Sequence, residues 1–239
     1  MTNTEFANSK LRGCKVSLKG FTRSTHLSTV VEEIDWREKG GVTPVINQGM
    51  CGACWAIAAV GALEGGSFAQ THKLTPLSIQ QIVDCDTESH GCHGGMITSA
   101  YDYVMKHGLC SSKDYPFTSA SGDCKEDQCT PAVTIKGYEY VPQNDGIALK
   151  AAVANAPVSA LVEADSPMFQ MYQSGVFDSA ECGTALNHAM VIVGYTADYW
   201  ILKNSWGANW GEKGYMRIKF TPEGAGICGI NTQAIYPTF

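Results

Sequence analysis

The chain has 239 residues, 44% of them hydrophobic and 17% charged, and a formal net charge of −6. Such a length and balance can bury the core of one large or two small subdomains, and the acidic charge, with no dense cluster of Lys and Arg, argues against nucleic acid or an anionic membrane as partner. The longest apolar run, Ala53 to Leu63, is well short of the roughly 20 residues that cross a bilayer, and Met1 to Phe6 lack the basic start and apolar stretch of a signal peptide.

Ten cysteines are too many for idle cytosolic thiols, so disulfides and an oxidising or endolysosomal compartment are expected. The rival use is metal binding. Cys85, His90, Cys92 and His93 cluster in the sequence, but the paired C-x2-C or H-x3-H spacings of a structural zinc site are absent. Neither metal nor cofactor is expected.

Residues 1 to 28 are polar and carry no sustained apolar period, so they read as an arm lying on a surface. A short apolar segment, Val30 to Trp36, is closed by Gly40, Gly41 and Pro44. Ala53 to about Gln70 is the strongest helix signal in the chain, with so little polar surface that it belongs inside. Helices are also expected from Ser78 to Asp84, capped by Ser78, and from Met96 to His107, ended by Gly108. From Ala132 the pattern changes. Val133 to Val141 alternates as a strand does, Gly146 to Ala154 reads as a helix, and Val158 to Val162 as a short strand. Three strands follow, His188 to Tyr195, Tyr199 to Asn204 and Tyr215 to Phe220, and they imply a twisted antiparallel sheet or barrel. A helical first half and a sheet second half make an α+β chain, with a cleft expected between two lobes.

Cys54 stands at the head of the apolar helix, where the helix dipole favours a thiolate. Among the six histidines, only His188 opens an apolar strand, and a base held on a strand is better positioned than one on a loop. Asn204 ends the neighbouring strand; its amide oxygen is suited to accept the imidazole N–H, and Trp206 to shield that bond. Gln48 adds an amide donor to the Cys54 backbone N–H, giving two donors for an oxyanion. The Cys51-x-x-Cys54 spacing alone would equally fit a redox dithiol, but no βαβ unit accompanies it.

These residues resemble the papain family of cysteine peptidases, and its cathepsin L type in particular, from about Val30 onward. The family signature C-G-[SA]-C-[WY], with His and Asn about 130 to 150 residues downstream, is matched by Cys51-Gly52-Ala53-Cys54-Trp55, with His188 and Asn204 following Cys54 by 134 and 150 residues. The resemblance implies a helical left lobe and a β-barrel right lobe. It implies Cys54 as nucleophile, His188 as ion-pair partner and proton donor, Asn204 as orienter and Gln48 as oxyanion donor. Gly94 and Gly95 resemble the wall along which substrate backbone lies, and Trp206 and Trp210 the aromatic wall on the leaving-group side. Met96, Ile97, Leu161, Leu186, Ala189 and Gln233 would line the pocket for the side chain two residues before the scissile bond. Leu, Val or Phe is expected there, and Arg is disfavoured.

The resemblance also implies the disulfides Cys51–Cys92, Cys85–Cys124 and Cys182–Cys228, with Cys110–Cys129 as an extra bridge found in some relatives. Cys14 is then left over. Residues 1–28 resemble the end of an inhibitory pro-segment, removed near Thr25 to Val30, and 29–239 the peptidase domain. Substrates would be proteins or peptides, inhibitors would be cystatin-like proteins or pro-segments, and a monomer in a lysosome, another acidic vacuole or the secreted space is implied. Two departures are visible: Ile79 in Ser78-Ile79-Gln80 where Glu is frequent, and Asn187 where Asp commonly precedes the histidine. No His-His insertion of the cathepsin B kind is present, which implies an endopeptidase. A catalytically silent relative that binds or stores is the alternative, and such a relative would usually have lost the Cys, His or Gln.

Overall fold

The structure, a computed structural model, describes residues 2–11, 32–179 and 181–239. Cys14 and the expected maturation region from Thr25 to Val30 lie outside them. The arm, expected only to lie on a surface, begins as a helix, α1 (Asn3–Lys10). Its cause is local: the Glu5 N–H donates to Thr2 Oγ1 at 3.2 Å and the Thr2 N–H to Glu5 Oε2 at 2.7 Å, a reciprocal capping box. Phe6 and the buried Leu11 then join the apolar core of the right lobe.

After the short strand β1 (Ile34–Asp35), the left lobe is built on α2 (Cys54–Thr71), α3 (Ile79–Cys85) and α4 (Ile97–His107). Trp55, Ala58, Ala59, Ala62 and Leu63 make α2 a buried helix. Ser78 caps α3 by accepting the Gln81 N–H at 2.9 Å, and α4 ends where Gly108 takes φ 71°, a backbone angle that favours glycine.

The right lobe holds β2 (Gly137–Tyr140), α5 (Gly146–Asn155), β3 (Val158–Val162), α6 (Pro167–Gln170), β4 (Val176–Phe177), β5 (His188–Tyr195), β6 (Tyr199–Lys203), β7 (Tyr215–Lys219) and β8 (Ala234–Thr238). The sheet order is β2-β8-β3-β5-β6-β7-β4, with β1 also pairing with β5. The ladders are antiparallel except the β4–β7 edge. Among the described residues this path stays open rather than closing into a ring. Every residue of β5 is buried because both faces are covered: Ala189, Val191 and Val193 join the core shared with α2, while Met190 and Ile192 meet Leu149 and Val153 of α5. Gly61 lets α2 lie against this strand, since a Cβ there would sit 2.8 Å from Val191 Cγ2.

The strand expected over Val133 to Val141 is only β2. Its partner β8 is five residues long, which limits the ladder, and Val133 makes a single bridge to Leu109 instead. No helix among the described residues is long and apolar enough to cross a membrane.

Candidate active site

Two chain segments, 46–48 from the left lobe and 205–207 from the right, are stitched together beneath the cleft. The Gln48 N–H donates to the Ser205 carbonyl at 2.8 Å, and the Gly207 N–H to the Ile46 carbonyl at 3.1 Å. Four of the expected residues sit around this seam. Cys54 is the first residue of α2 and Ala53 its N-cap, so the outward-facing N–H groups of a helix end surround the cysteine. His188 opens β5 and Asn204 follows β6.

His188 Nε2 lies 2.8 Å from Asn204 Oδ1. Because an amide oxygen only accepts, the imidazole proton is on Nε2 and the lone pair on Nδ1, which is buried and makes no hydrogen bond. Asn204 is fixed in turn: the Ser205 N–H also donates to Oδ1, at 2.7 Å, and the Asn204 N–H to the Gly214 carbonyl at 3.0 Å. The Trp206 ring covers the imidazole at a centroid distance of 4.7 Å. Burial pushes His188 down to about 4, the Asn204 bond opposes this, and the Lys10 ammonium adds to it.

Gln48 is fully buried. Ser205 Oγ donates to its Oε1 at 2.6 Å, which turns the NH2 toward the cleft. There Nε2 donates to the Cys51 carbonyl at 2.9 Å and to the Lys10 carbonyl at 3.2 Å. The arm therefore lays a backbone carbonyl on the expected oxyanion donor. Lys10 Nζ donates to the Gly49 carbonyl at 2.6 Å and to Asn47 Oδ1 at 3.3 Å, and Phe6 meets Trp206 edge-on at 4.7 Å. The arm runs from the aromatic wall around Trp206 toward the loop that carries Gln48.

That wall is a cluster. Trp206 and Trp210 lie 5.1 Å apart, both near Phe169, and Trp210 Nε1 donates to the Gln170 carbonyl at 2.9 Å. On the opposite side Gly94 takes φ 106°. A Cβ at Gly95 would sit 2.7 Å from Trp55 Cδ2, so packing alone requires glycine there. Ile97, Leu161, Leu186 and Ala189 share one apolar cluster, Leu161 and Ala189 as direct partners across β3 and β5. The Leu161 N–H donates to the Gln233 carbonyl at 3.0 Å. Met96 is half-buried at the start of α4.

The described disulfides are Cys51–Cys92, Cys85–Cys124, Cys110–Cys129 and Cys182–Cys228. The first ties the loop before α2 to the loop leading to Gly94, alongside the Gly52 N–H donating to the Cys92 carbonyl at 2.8 Å. Cys54 is itself disulfide-bonded, whereas the sequence led us to expect a thiol.

A profile of the papain family cysteine proteases matches residues 30–238. The chain belongs to that family.

Mexicain from Jacaratia mexicana, a papain-family relative, is 46% identical over 208 residues, covering 86% of this chain and 97% of its own. The probable cysteine protease RD21C of Arabidopsis thaliana is 44% identical over 252 residues; the match takes in all of this chain but spans 56% of that relative. Among solved structures, the Carica candamarcensis cysteine protease CMS1MS2 in complex with E-64 superposes with a TM-score of 0.84 at 42% identity, covering 87% of this chain and 99% of that one. The ragweed pollen allergen Amb a 11 in its proform gives 0.93 at 38% identity, covering 100% and 77%.

Within this papain-family fold, two features escaped sequence reasoning. One is Ser205, whose hydroxyl sets the Gln48 amide and whose only sequence signal is its place after Asn204. The other is a buried polar bridge behind the site: Lys203 Nζ donates to Thr43 Oγ1 at 2.9 Å, Thr43 Oγ1 to Glu64 Oε2 at 2.6 Å, and the Leu77 N–H to Glu64 Oε1 at 2.9 Å. Burial pushes the Glu64 carboxyl up and the Lys203 ammonium down, and each charge opposes the other's shift. Glu64 inside an apolar helix was the visible signal for it.

Proposed function

We propose that this papain-family chain is a cysteine endopeptidase that cleaves peptide bonds through a thioester on Cys54. The observation that carries the reading is the imidazole of His188, held by Asn204 beneath Trp206 at the seam where α2 presents Cys54. With the cysteine reduced and the arm gone, the Cys54 thiolate attacks the scissile carbonyl carbon. The carbonyl oxygen becomes an oxyanion held by Gln48 Nε2–H and the Cys54 N–H. Protonated His188 gives its proton to the leaving nitrogen, the C–N bond breaks, and the thioester remains. His188 then takes a proton from water, whose oxygen attacks the thioester. Loss of the thiolate releases the acid product and restores the starting pair. Asn204 keeps the ring in the plane both transfers need.

The apolar cluster of Ile97, Leu161, Leu186 and Ala189, with Met96 and Gln233 at its margins, is the pocket for the side chain two residues before the cut. Nothing in that set is acidic, which favours Leu, Val or Phe over Arg. Gly94 and Gly95 border the substrate backbone, and Trp206 and Trp210 the leaving group. Residues 1–28 are the remnant of an inhibitory pro-segment, a reading supported by the Lys10 carbonyl on Gln48 and by the superposition of the whole chain on 77% of a proform. Substrates are proteins or peptides, and cystatin-like proteins are inhibitors of the same cleft. The disulfides favour an acidic vacuole or the secreted space, where the chain acts as a monomer.

A fluorogenic peptide library tests this reading. The arm-free, reduced chain should cleave peptides with Leu, Val or Phe at that position far faster than those with Arg. An Arg preference would overturn the pocket, and no cleavage at all would overturn the activity.

A further inference from the structure

The polar bridge of Lys203, Thr43 and Glu64 stands in a cavity of about 270 Å3 between the lobes, bordered by the exposed Pro44 and Pro76 and reaching the buried Asn204 and Ser205. One stripe of α2 forms part of its wall. Ile57, Gly61 and Glu64 recur at i, i+4 and i+7, so they share a helix face, and all three line the cavity. Val191 of β5 closes against Gly61, where a Cβ would sit 2.8 Å from its Cγ2. Leu77 and Ile79 add further apolar wall.

Lys203 is the only cation among the lining residues and Glu64 the only carboxyl. Both are buried, at 9% and 6% exposure. Glu64 is engaged on both oxygens, by the Leu77 N–H and by Thr43 Oγ1. Lys203 is not engaged to the same degree. An ammonium carries three N–H donors, and among the described residues its Nζ makes one hydrogen bond, to Thr43 Oγ1 at 2.9 Å. No ion pair among the described residues includes it. The chain departs from its family at this wall, with Ile79 where Glu is frequent, and that exchange puts apolar surface in the place of a carboxyl. Buried donors without acceptors are costly, so the cavity favours a molecule that brings one.

We propose that this cavity binds a small, apolar, uncharged molecule with one carbonyl oxygen, which accepts from Lys203 Nζ while its hydrocarbon body lies on Ile57, Leu77 and Ile79. Lys203 and Glu64 are neutral as a pair, so a carboxylate ligand would leave a net charge in a buried setting. A ketone or amide supplies the acceptor without that charge. The volume falls near the lower end, roughly 300 Å3, of ordinary ligand pockets, which suits a single substituted ring. The bound molecule would also touch Asn204 and Ser205, the residues that hold His188 and Gln48.

The test is a methyl NMR titration of the whole 239-residue chain, labelled at Ile and Leu, with three probes of similar size. Acetophenone carries the ketone oxygen, α-methylstyrene has a CH2 in its place, and benzoate adds a negative charge. Acetophenone should give saturable shifts at Ile57, Leu77 and Ile79. The other two should bind roughly tenfold or more weakly, since a hydrogen bond to a charged group is worth at least that much. Ile79→Glu puts a carboxylate into the cavity at the first residue of α3, a helix position that tolerates an acid. It should abolish the acetophenone shifts at Ile57 and Leu77. Lys203→Met should reduce acetophenone to the affinity of α-methylstyrene, and if that variant does not fold, Ile79→Glu decides alone. Equal affinity for ketone and hydrocarbon, tighter binding of benzoate, undiminished binding by Ile79→Glu, or shifts confined to the substrate-side Ile97, Leu161 and Leu186 would overturn the proposal. Peptide hydrolysis enters none of these readouts, so the outcome is independent of the peptidase reading.

Discussion

Docking of the arm should weaken steeply in acid, and His188 sets the size of the effect. With the arm in place the imidazole is buried under Trp206 and faces the Lys10 charge, which takes it from 6.5 down to about 4. With the arm gone it loses the Lys10 charge, one of the causes of that shift, together with the share of burial that the arm supplies. His188 is thus neutral in the docked state across a window in which the open state binds a proton. Docking free energy is fully present above pH 6.5 and is lost as pH falls toward 4. At about 1.4 kcal/mol per pH unit the loss has an upper bound of about 3 kcal/mol, or roughly 300-fold in affinity, reached when the arm accounts for the whole shift. The measurement is the Kd of a peptide of residues 1–28 for the arm-free domain carrying Cys54→Ala, followed from pH 7.5 to pH 4. The alanine is needed because a free thiol could pass its proton to His188 without net uptake. A peptide with Lys10→Met should show a shallower slope, since one cause of the depressed value is gone. A Kd independent of pH for both peptides would refute the reasoning.

Three further outcomes follow from named contacts. Asn204→Ala removes the 2.8 Å bond to His188; a hydrogen bond to a group that becomes charged is worth about 1.5–3 kcal/mol, so kcat/KM should fall roughly 10- to 150-fold in steady-state assays. Gln48→Ala removes a side-chain oxyanion donor and should lower kcat about 100- to 1,000-fold, while Ser205→Ala, which only frees the Gln48 amide to turn, should cost about 1 kcal/mol; equal losses in the two variants would contradict these roles. Lys203→Met leaves Glu64 without its counter-charge in a buried setting and should destabilise the fold by about 3–5 kcal/mol in urea unfolding. The loss should grow as pH rises, because burial holds the Glu64 carboxyl up and losing Lys203 removes the charge that opposes that shift.

The elements legible in the sequence are those whose signal is local or periodic. The apolar stretch after Ala53, the Ser78 cap, the Gly108 stop and the buried run from His188 to Tyr195 each state their structure within a few residues. The site was legible as types and spacings: a cysteine heading an apolar helix, a histidine opening a strand, an asparagine closing the next. What could not be read depends on contacts between distant segments. Strand β8 was missed because Pro237 lies within it and pairing with β2 and β3 defines it. The Glu64–Thr43–Lys203 bridge joins α2 to β6 across the lobes, and Ser205 reaches Gln48 only because the two segments are stitched side by side. The arm shows both cases. Its Thr2-x-x-Glu5 capping box was readable and was passed over, while the placing of Lys10 over the loop of Asn47, Gln48 and Gly49 required the fold.

The central claim is that Cys54, served by His188 and Asn204, is the attacking group. Its most direct test is intact-mass analysis of the arm-free, reduced chain after exposure to an epoxide that alkylates active-site thiols. We predict one adduct per chain, mapped to Cys54, together with loss of peptide hydrolysis. The adduct should be absent in Cys54→Ala and formed far more slowly in His188→Ala. A Cys54→Ala chain that still hydrolyses peptides, or a wild-type chain that cleaves them with Cys54 unmodified, would contradict the account.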